Sequence, residues 1–191
     1  MCRVENAFPA RVETDRLLLR CYEEQDANAV LRLVHQQRSH LIREFAQQAS
    51  LDRLEDAKSF IAEKAQQWES GRAFCYGIWE NSSGEFVGQI QIKSIAWEIP
   101  AGELGYFIAD PFQRRGFATE SINAILRLAF EEQGFQRVFV RILPSNRESL
   151  ALARKLGFQQ EGLHRSAYRC GFGDLHDVYY LSMISAEFRQ T

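Results

Sequence analysis

The sequence predicts a single α+β domain, and three observations carry that prediction. Strand-like segments cluster in the middle of the chain, from Phe74 to Ala109, as a meander. Two helical patterns separate that meander from an isolated N-terminal strand, and an alternating strand–helix–strand–helix pattern follows it. There is no internal repeat, low-complexity tract or linker to divide residues 1–191.

Leu17-Leu18-Leu19-Arg20 reads as the first strand, led in by Glu13-Thr14-Asp15-Arg16. Asp26 is placed to cap a helix that carries Val30, Leu31 and Val34 on one face. Ser50 or Asp52 opens a second helix with Leu54, Ala57, Ile61, Ala65 and Trp68 at helical spacing, and Gly71 stops it. Phe74–Glu80 and Glu85–Ile95 flank Asn81-Ser82-Ser83-Gly84 as an antiparallel hairpin, Trp97–Pro100 is a turn, and Glu103–Ala109 a further strand. Ile122, Ile125, Leu126, Ala129 and Phe130 then recur at i, i+3, i+4, i+7 and i+8, the signature of an amphipathic helix ending near Gly134. Arg137–Leu143 is a strand, Pro144-Ser145-Asn146 a loop, Ser149–Leu156 a helix closed by Gly157, Tyr168–Asp174 a glycine-bearing turn, and Val178–Ile184 the last strand.

Composition excludes several classes. The 23 basic and 25 acidic residues leave a formal charge of -2, so no global field holds a polyanion and nucleic acid is disfavoured as a partner. No apolar run approaches the ~20 residues needed to cross a bilayer, and the N-terminus lacks an apolar leader, so a cytoplasmic protein is expected. Cys2, Cys21, Cys75 and Cys170 form no Cys-x-x-Cys pair, and His35, His40, His164 and His176 show no metal-ligand spacing. No metal is expected, and Cys75 reads as a small buried hydrophobe.

The chemistry is concentrated where a strand gives way to a helix, at Gln113-Arg114-Arg115-Gly116-Phe117-Ala118-Thr119. A turn entering a helix leaves backbone N–H groups without partners. Gly116 permits positive φ and close approach, Ala118 is small, and Thr119 adds a hydroxyl. The pattern suits a pyrophosphate held by amides, the helix dipole and flanking arginines, and it equally suits a turn with solvated arginines. It lacks the spacing of a Walker loop or a dinucleotide fingerprint.

Gln113–Ala118 matches the Gln/Arg-x-x-Gly-x-Gly/Ala signature of the Gcn5-related N-acetyltransferase (GNAT) family. Glu13–Arg20, Gly105-Tyr106, Thr119-Glu120, Asn146 with Ser149, Leu156-Gly157-Phe158 and Glu161-Gly162 follow in the order found in its ribosomal-protein N-terminal acetyltransferase branch, the RimJ/RimL-like enzymes. The chain resembles that branch from about residue 10 to 185. The resemblance implies the GNAT fold: a mixed, mostly antiparallel sheet with a V-shaped split, flanked by helices. It implies acetyl-CoA as co-substrate, with the pyrophosphate on Gln113–Thr119, Asn146 in support, and the pantetheine along the strand edge at Tyr106, Phe107 and Ile108. One backbone N–H there would stabilise the oxyanion of a tetrahedral intermediate.

Glu103 occupies a position where relatives place a base that deprotonates the amine; the alternative is a strand glutamate paired with an arginine. Relatives commonly supply a tyrosine seven residues after the asparagine to protonate the leaving thiolate, and here that position is Ala153. Ser149 is then either a hydrogen-bond donor to the sulfur or a helix N-cap. Glu120 is explained by the helix dipole, and Trp97 is a candidate wall of the acceptor pocket. The implied acceptor is a protein N-terminal α-amine. A small amine such as a polyamine, amino acid or drug, a non-catalytic coenzyme A-binding module and an RNA-contacting domain are the alternatives, and the oligomeric state, a homodimer included, is open.

Overall fold

A computed structural model describes residues 8–188; Cys2 lies outside them. Eight strands form one sheet in the order β1-β2-β3-β4-β5-β6-β8-β7. These are β1 (Arg11–Glu13), β2 (Leu17–Arg20), β3 (Phe74–Glu80), β4 (Phe86–Ala96), β5 (Ala101–Ile108), β6 (Arg137–Ile142), β7 (Gln159–Arg169) and β8 (Leu175–Ile184). Every neighbouring pair is antiparallel except β5 and β6.

Helices cover both faces. α1 (Ala27–Glu44) and α3 (Leu54–Glu69) seal one, burying Val30, Leu33, Val34, Ala57, Phe60 and Ile61 against Trp79 and Phe107. The short α2 (Ala46–Ala49) continues from α1. On the other face α4 (Phe117–Arg127), extended by a π-helical turn at Leu128–Glu132, and α5 (Arg147–Lys155) bury Ile122, Ile125, Leu126, Leu150 and Ala153 against Ile90, Leu104, Val138 and Val140. A final turn, α6, spans Ser185–Phe188. The apolar spacings in the sequence therefore correspond to real buried faces.

Four elements depart from expectation. The β1 strand is only three residues long and gives no periodic signal. The α2 helix is a single turn. β7 (Gln159–Arg169) lies where the sequence suggests no strand and runs into the expected Tyr168–Asp174 turn, and β8 begins at Leu175 rather than Val178. β7 is the sheet edge and is largely exposed along its length, so its polar sequence never alternates.

The parallel pair shapes the site. β5 and β6 pair only at Ala101, Gly102 and Glu103 with Arg137, Val138 and Phe139. Beyond Glu103 they separate, leaving Gly105–Ile108 bonded to β4 on one side and open on the other.

β7 is held across two strands. Arg137 of β6 ion-pairs with Glu161 of β7, and Ser182 of β8 sits between them, accepting from Arg137 at 3.0 Å and donating to Glu161 at 2.7 Å. The Arg137 guanidinium, followed by the Ser182 hydroxyl, holds the Glu161 carboxyl down to about 2. This stabilisation is present above the ordinary glutamate range and is lost as pH falls through about 2. Glu161→Gln is therefore expected to destabilise the fold at neutral pH by about 1 kcal/mol or less after solvent screening, and to flatten the acid limb of stability against pH in urea titrations.

Candidate active site

The turn before α4 has the conformation its sequence requires. Gly116 has φ 84° and is the N-cap residue, no side chain caps the helix, and Arg114 also takes positive φ. The N–H groups opening α4 thus keep their donors for an external acceptor. Gln113, Arg114, Gly116, Phe117, Ala118 and Thr119 line a cavity of about 340 Å³, together with Tyr106, Phe107, Ile108, Asn146 and Ser149. Gln113 also donates to the Ile108 carbonyl at 3.0 Å, tying the turn to the end of the open strand edge.

The two arginines diverge. Arg114 is exposed and lines the cavity, where it faces Glu148 at 3.5 Å. Arg115 is outside the cavity lining: it ion-pairs with Glu80 on β3 and stacks over Phe117 and Phe112, with 4.7 and 5.7 Å to the ring centroids. Phe117 itself is buried in the core, so only its backbone serves the turn.

Glu120 does more than complement the helix dipole. Thr14 Oγ1 donates to it at 2.6 Å, the Arg16 backbone N–H at 2.9 Å and Arg16 Nε at 2.7 Å, while Arg16 Nη1 donates to the Arg115 carbonyl at 2.8 Å. Burial pulls the Glu120 pKa up, but these bonds outweigh it and hold it below the ordinary value. The segments Thr14–Arg16 and Thr119-Glu120, a hundred residues apart in sequence, are two halves of one clamp on the loop.

Asn146, not Ser149, caps α5. Its Oδ1 accepts from the Ser149 N–H at 3.0 Å, which leaves the Ser149 hydroxyl to meet the Tyr106 hydroxyl at 2.9 Å. Burial raises the Tyr106 pKa, so the pair keeps its protons at neutral pH. Ala153 lies on the buried face of α5, and the phenol near Ser149 comes from β5 instead.

Glu103 is buried on the opposite face of β5 from Tyr106. Its carboxylate meets Arg141 at 2.9 Å and Lys93 at 3.6 Å, bridging the point where β5 and β6 part. Burial works against the Arg141 charge, but the bond to Glu103 leaves its pKa raised. The buried Nε of Arg141 has no partner among the described residues.

Sequence reasoning missed Glu44, the last residue of α1. Asn146 Nδ2 donates to both its oxygens at 2.8 Å, and burial raises its pKa. With Phe45 it lines three adjoining cavities: the one over the α4 turn, a small one holding Glu103, Tyr106, Arg141 and Ser149, and a third of about 450 Å³ beyond. An acidic residue closing an amphipathic helix carries no catalytic signal in sequence.

Trp97 is not a wall of these cavities; it packs on Phe74 and Phe135 and donates to the Gly71 carbonyl at 3.1 Å. Tyr168 takes that place. Cys75 is buried, which pushes its thiol up to about 12. Cys170, Asp174 and His176, within seven residues of sequence, have potential ligand atoms within 4.8 Å of one another at the β7–β8 turn.

Residues 16–159 match the family model for the acetyltransferase (GNAT) domain. The chain belongs to that family. It is an acetyl-CoA-dependent N-acetyltransferase of GNAT type. It is 29% identical over 177 residues to the uncharacterized N-acetyltransferase YoaA of Bacillus subtilis (strain 168), covering 93% of this chain and 97% of that one. Over 95 residues, 49% of each chain, it is 28% identical to the [ribosomal protein uS5]-alanine N-acetyltransferase of Escherichia coli (strain K12). Among solved structures, an acetyltransferase from Salmonella typhimurium that modifies the N-terminal serine of ribosomal protein L7/L12 superposes with a TM-score of 0.79 at 25% identity, covering 90% of this chain and 96% of that one. RimL, a ribosomal L7/L12 α-N-protein acetyltransferase in complex with coenzyme A, gives 0.83 at 23% identity, covering 91% and 97%, and shares the GNAT fold.

The clamp on the α4 turn can be tested apart from catalysis. Glu120→Ala is expected to lower stability by about 1–3 kcal/mol and to weaken coenzyme A binding several-fold, measured by thermal denaturation with and without coenzyme A.

Proposed function

We propose that this acetyltransferase moves the acetyl group of acetyl-CoA to the N-terminal α-amine of a protein. The observation that carries the reading is the cleft at the divergence of β5 and β6, with an anion-binding turn at one end and a carboxylate, Glu44, at the other. Relatives named for ribosomal-protein N-termini support the acceptor class.

The turn Gln113–Thr119, chiefly its backbone with Arg114, is assigned to the pyrophosphate, and Arg115 to supporting the loop. The open edge at Tyr106, Phe107 and Ile108 offers backbone groups to the pantetheine, and a preorganised N–H there meets developing negative charge. Acetyl-CoA supplies the activated acyl carbon. Ser149 and Tyr106 form the hydroxyl pair that hydrogen-bonds the departing sulfur.

The attacking amine must lose a proton, and its reference pKa of about 8 leaves it mostly protonated at neutral pH. Two carboxylates face this junction. Both oxygens of Glu103 already engage cations, which suits it to holding the split closed at its apex. Glu44 has no cation within ion-pair distance among the described residues, and its burial-raised pKa makes it the better proton acceptor.

The test is thiol release from acetyl-CoA with N-terminal peptides, polyamines and amino acids. Peptide-selective turnover is expected, and tight acetyl-CoA binding with no turnover on any acceptor would move the assignment to a coenzyme A-binding module. Glu44→Gln should lower kcat about 10²–10⁴-fold, and should remove an acidic limb of activity lying above the ordinary glutamate range. A raised carboxylate pKa contributes stability that is present below the ordinary value and is lost as pH rises through the raised one, so Glu44→Gln should keep or gain Tm at pH 7. Glu103→Gln should instead cost about 2–4 kcal/mol by leaving Arg141 and Lys93 without their anion. A Glu103→Gln variant of unchanged Tm and collapsed kcat would return the base to Glu103.

A further inference from the structure

The cavity of about 450 Å³ beyond Glu44 has a charge pattern that acetyl transfer alone does not require. Four cations line it, Lys64, Arg72, Lys93 and Arg169, against Glu44 as its one lining carboxylate among the described residues. Lys64 is 6% exposed, a costly place for an ammonium. Its Nζ is met by amide oxygens, Gln47 at 3.0 Å and Gln67 at 3.3 Å, while the nearest carboxylate, Glu63, stands 4.0 Å away. Lys93 shares Glu103 with Arg141. Arg72 bonds only the Ser70 hydroxyl and Arg169 only the Gly173 carbonyl, so neither has a carboxylate partner among the described residues.

The walls belong to the acceptor side of the molecule. The end of α1 with α2, and the β7–β8 turn, form opposite sides and touch where the Gly171 N–H donates to the Ile42 carbonyl at 2.8 Å. A side chain at Gly171 would collide there, its Cβ falling 2.7 Å from Ile42 Cγ1. Polarity therefore reverses across Glu44: an anion stands at the reacting end and unmatched positive charge lies beyond it.

We propose that the acceptor is an acidic protein N-terminus, its α-amine received at Glu44 and the carboxylates of its next residues held in the basic cavity. This deepens the N-terminal acetyltransferase reading and rests on it. Charge complementarity of this kind selects among partners of similar shape. A polyamine would place its second ammonium among the four cations, and a free amino acid would leave most of the cavity unfilled.

The experiment uses the full chain with acetyl-CoA and three amidated tetrapeptides, Ser-Asp-Glu-Phe, Ser-Gln-Gln-Phe and Ser-Lys-Lys-Phe, with aspartate and spermidine alongside. Thiol release gives kcat and KM. Anisotropy of the same peptides, labelled at the C-terminus, gives their binding to coenzyme A-saturated protein whether or not turnover occurs. The acidic peptide is expected to exceed the neutral one by about tenfold in kcat/KM, through KM, with the lysine peptide lowest and the gap shrinking as NaCl rises. The double variant Arg72→Glu/Arg169→Glu, at two exposed positions, should reverse the order toward the lysine peptide while coenzyme A affinity holds. Equal binding of all three peptides, preference for spermidine or aspartate, or an acidic preference that survives the double variant would overturn the proposal. Acidic-selective binding without acetylation of any peptide would support the basic cavity as an acidic-peptide site and sink the transfer reading instead.

Discussion

β5 and β6 share backbone pairing over three residues and then part, and the arrangement of the site follows from that early divergence. A strand flanked on both sides has no free N–H or C=O to offer, whereas the stretch Gly105–Ile108 keeps one edge open. Such an edge is a liability on a protein surface and an asset inside a cleft that admits an extended ligand. The Glu103–Arg141 pair stands at the apex of the split, linking the last paired residue of β5 to the diverging part of β6.

The helices are placed around this opening with different tasks. α4 directs its uncapped N-terminus at one end of the cleft, and the Thr14–Arg16–Glu120 clamp fixes the turn that precedes it. α5 turns the Ser149 hydroxyl toward Tyr106 because Asn146 has taken the capping role. The same Asn146 reaches Glu44 with its other end, so one amide connects the α5 cap to the end of α1. Proton donor and proton acceptor candidates are thereby held through a single side chain. The two faces of β5 divide the chemistry, with Tyr106 toward α5 and Glu103 toward Lys93.

Much of this was legible in the residues, and the exceptions share a cause. Helices α1, α3, α4 and α5 and strands β2 to β6 declared themselves because each buries a face, and burial writes a period of 3.6 or 2 into the sequence. β7 did not, since an edge strand largely exposed along its length has no face to encode. The turn before α4 was legible at Gly116, where positive φ demands glycine. The different fates of Arg114 and Arg115 were not, because which of two adjacent arginines turns to Glu80 depends on a strand more than thirty residues away.

By itself, then, the sequence determined the family, the α+β class, the glycine turn at Gly116 and the helix that follows it, because these rest on local rules of conformation and periodicity. Tertiary structure alone decided that Tyr106 meets Ser149, that Asn146 reaches Glu44, and that Glu103 is an ion-paired residue at the split. Those relations join residues from about forty to a hundred positions apart, and no local pattern specifies them; they exist only once the sheet has brought its strand ends together.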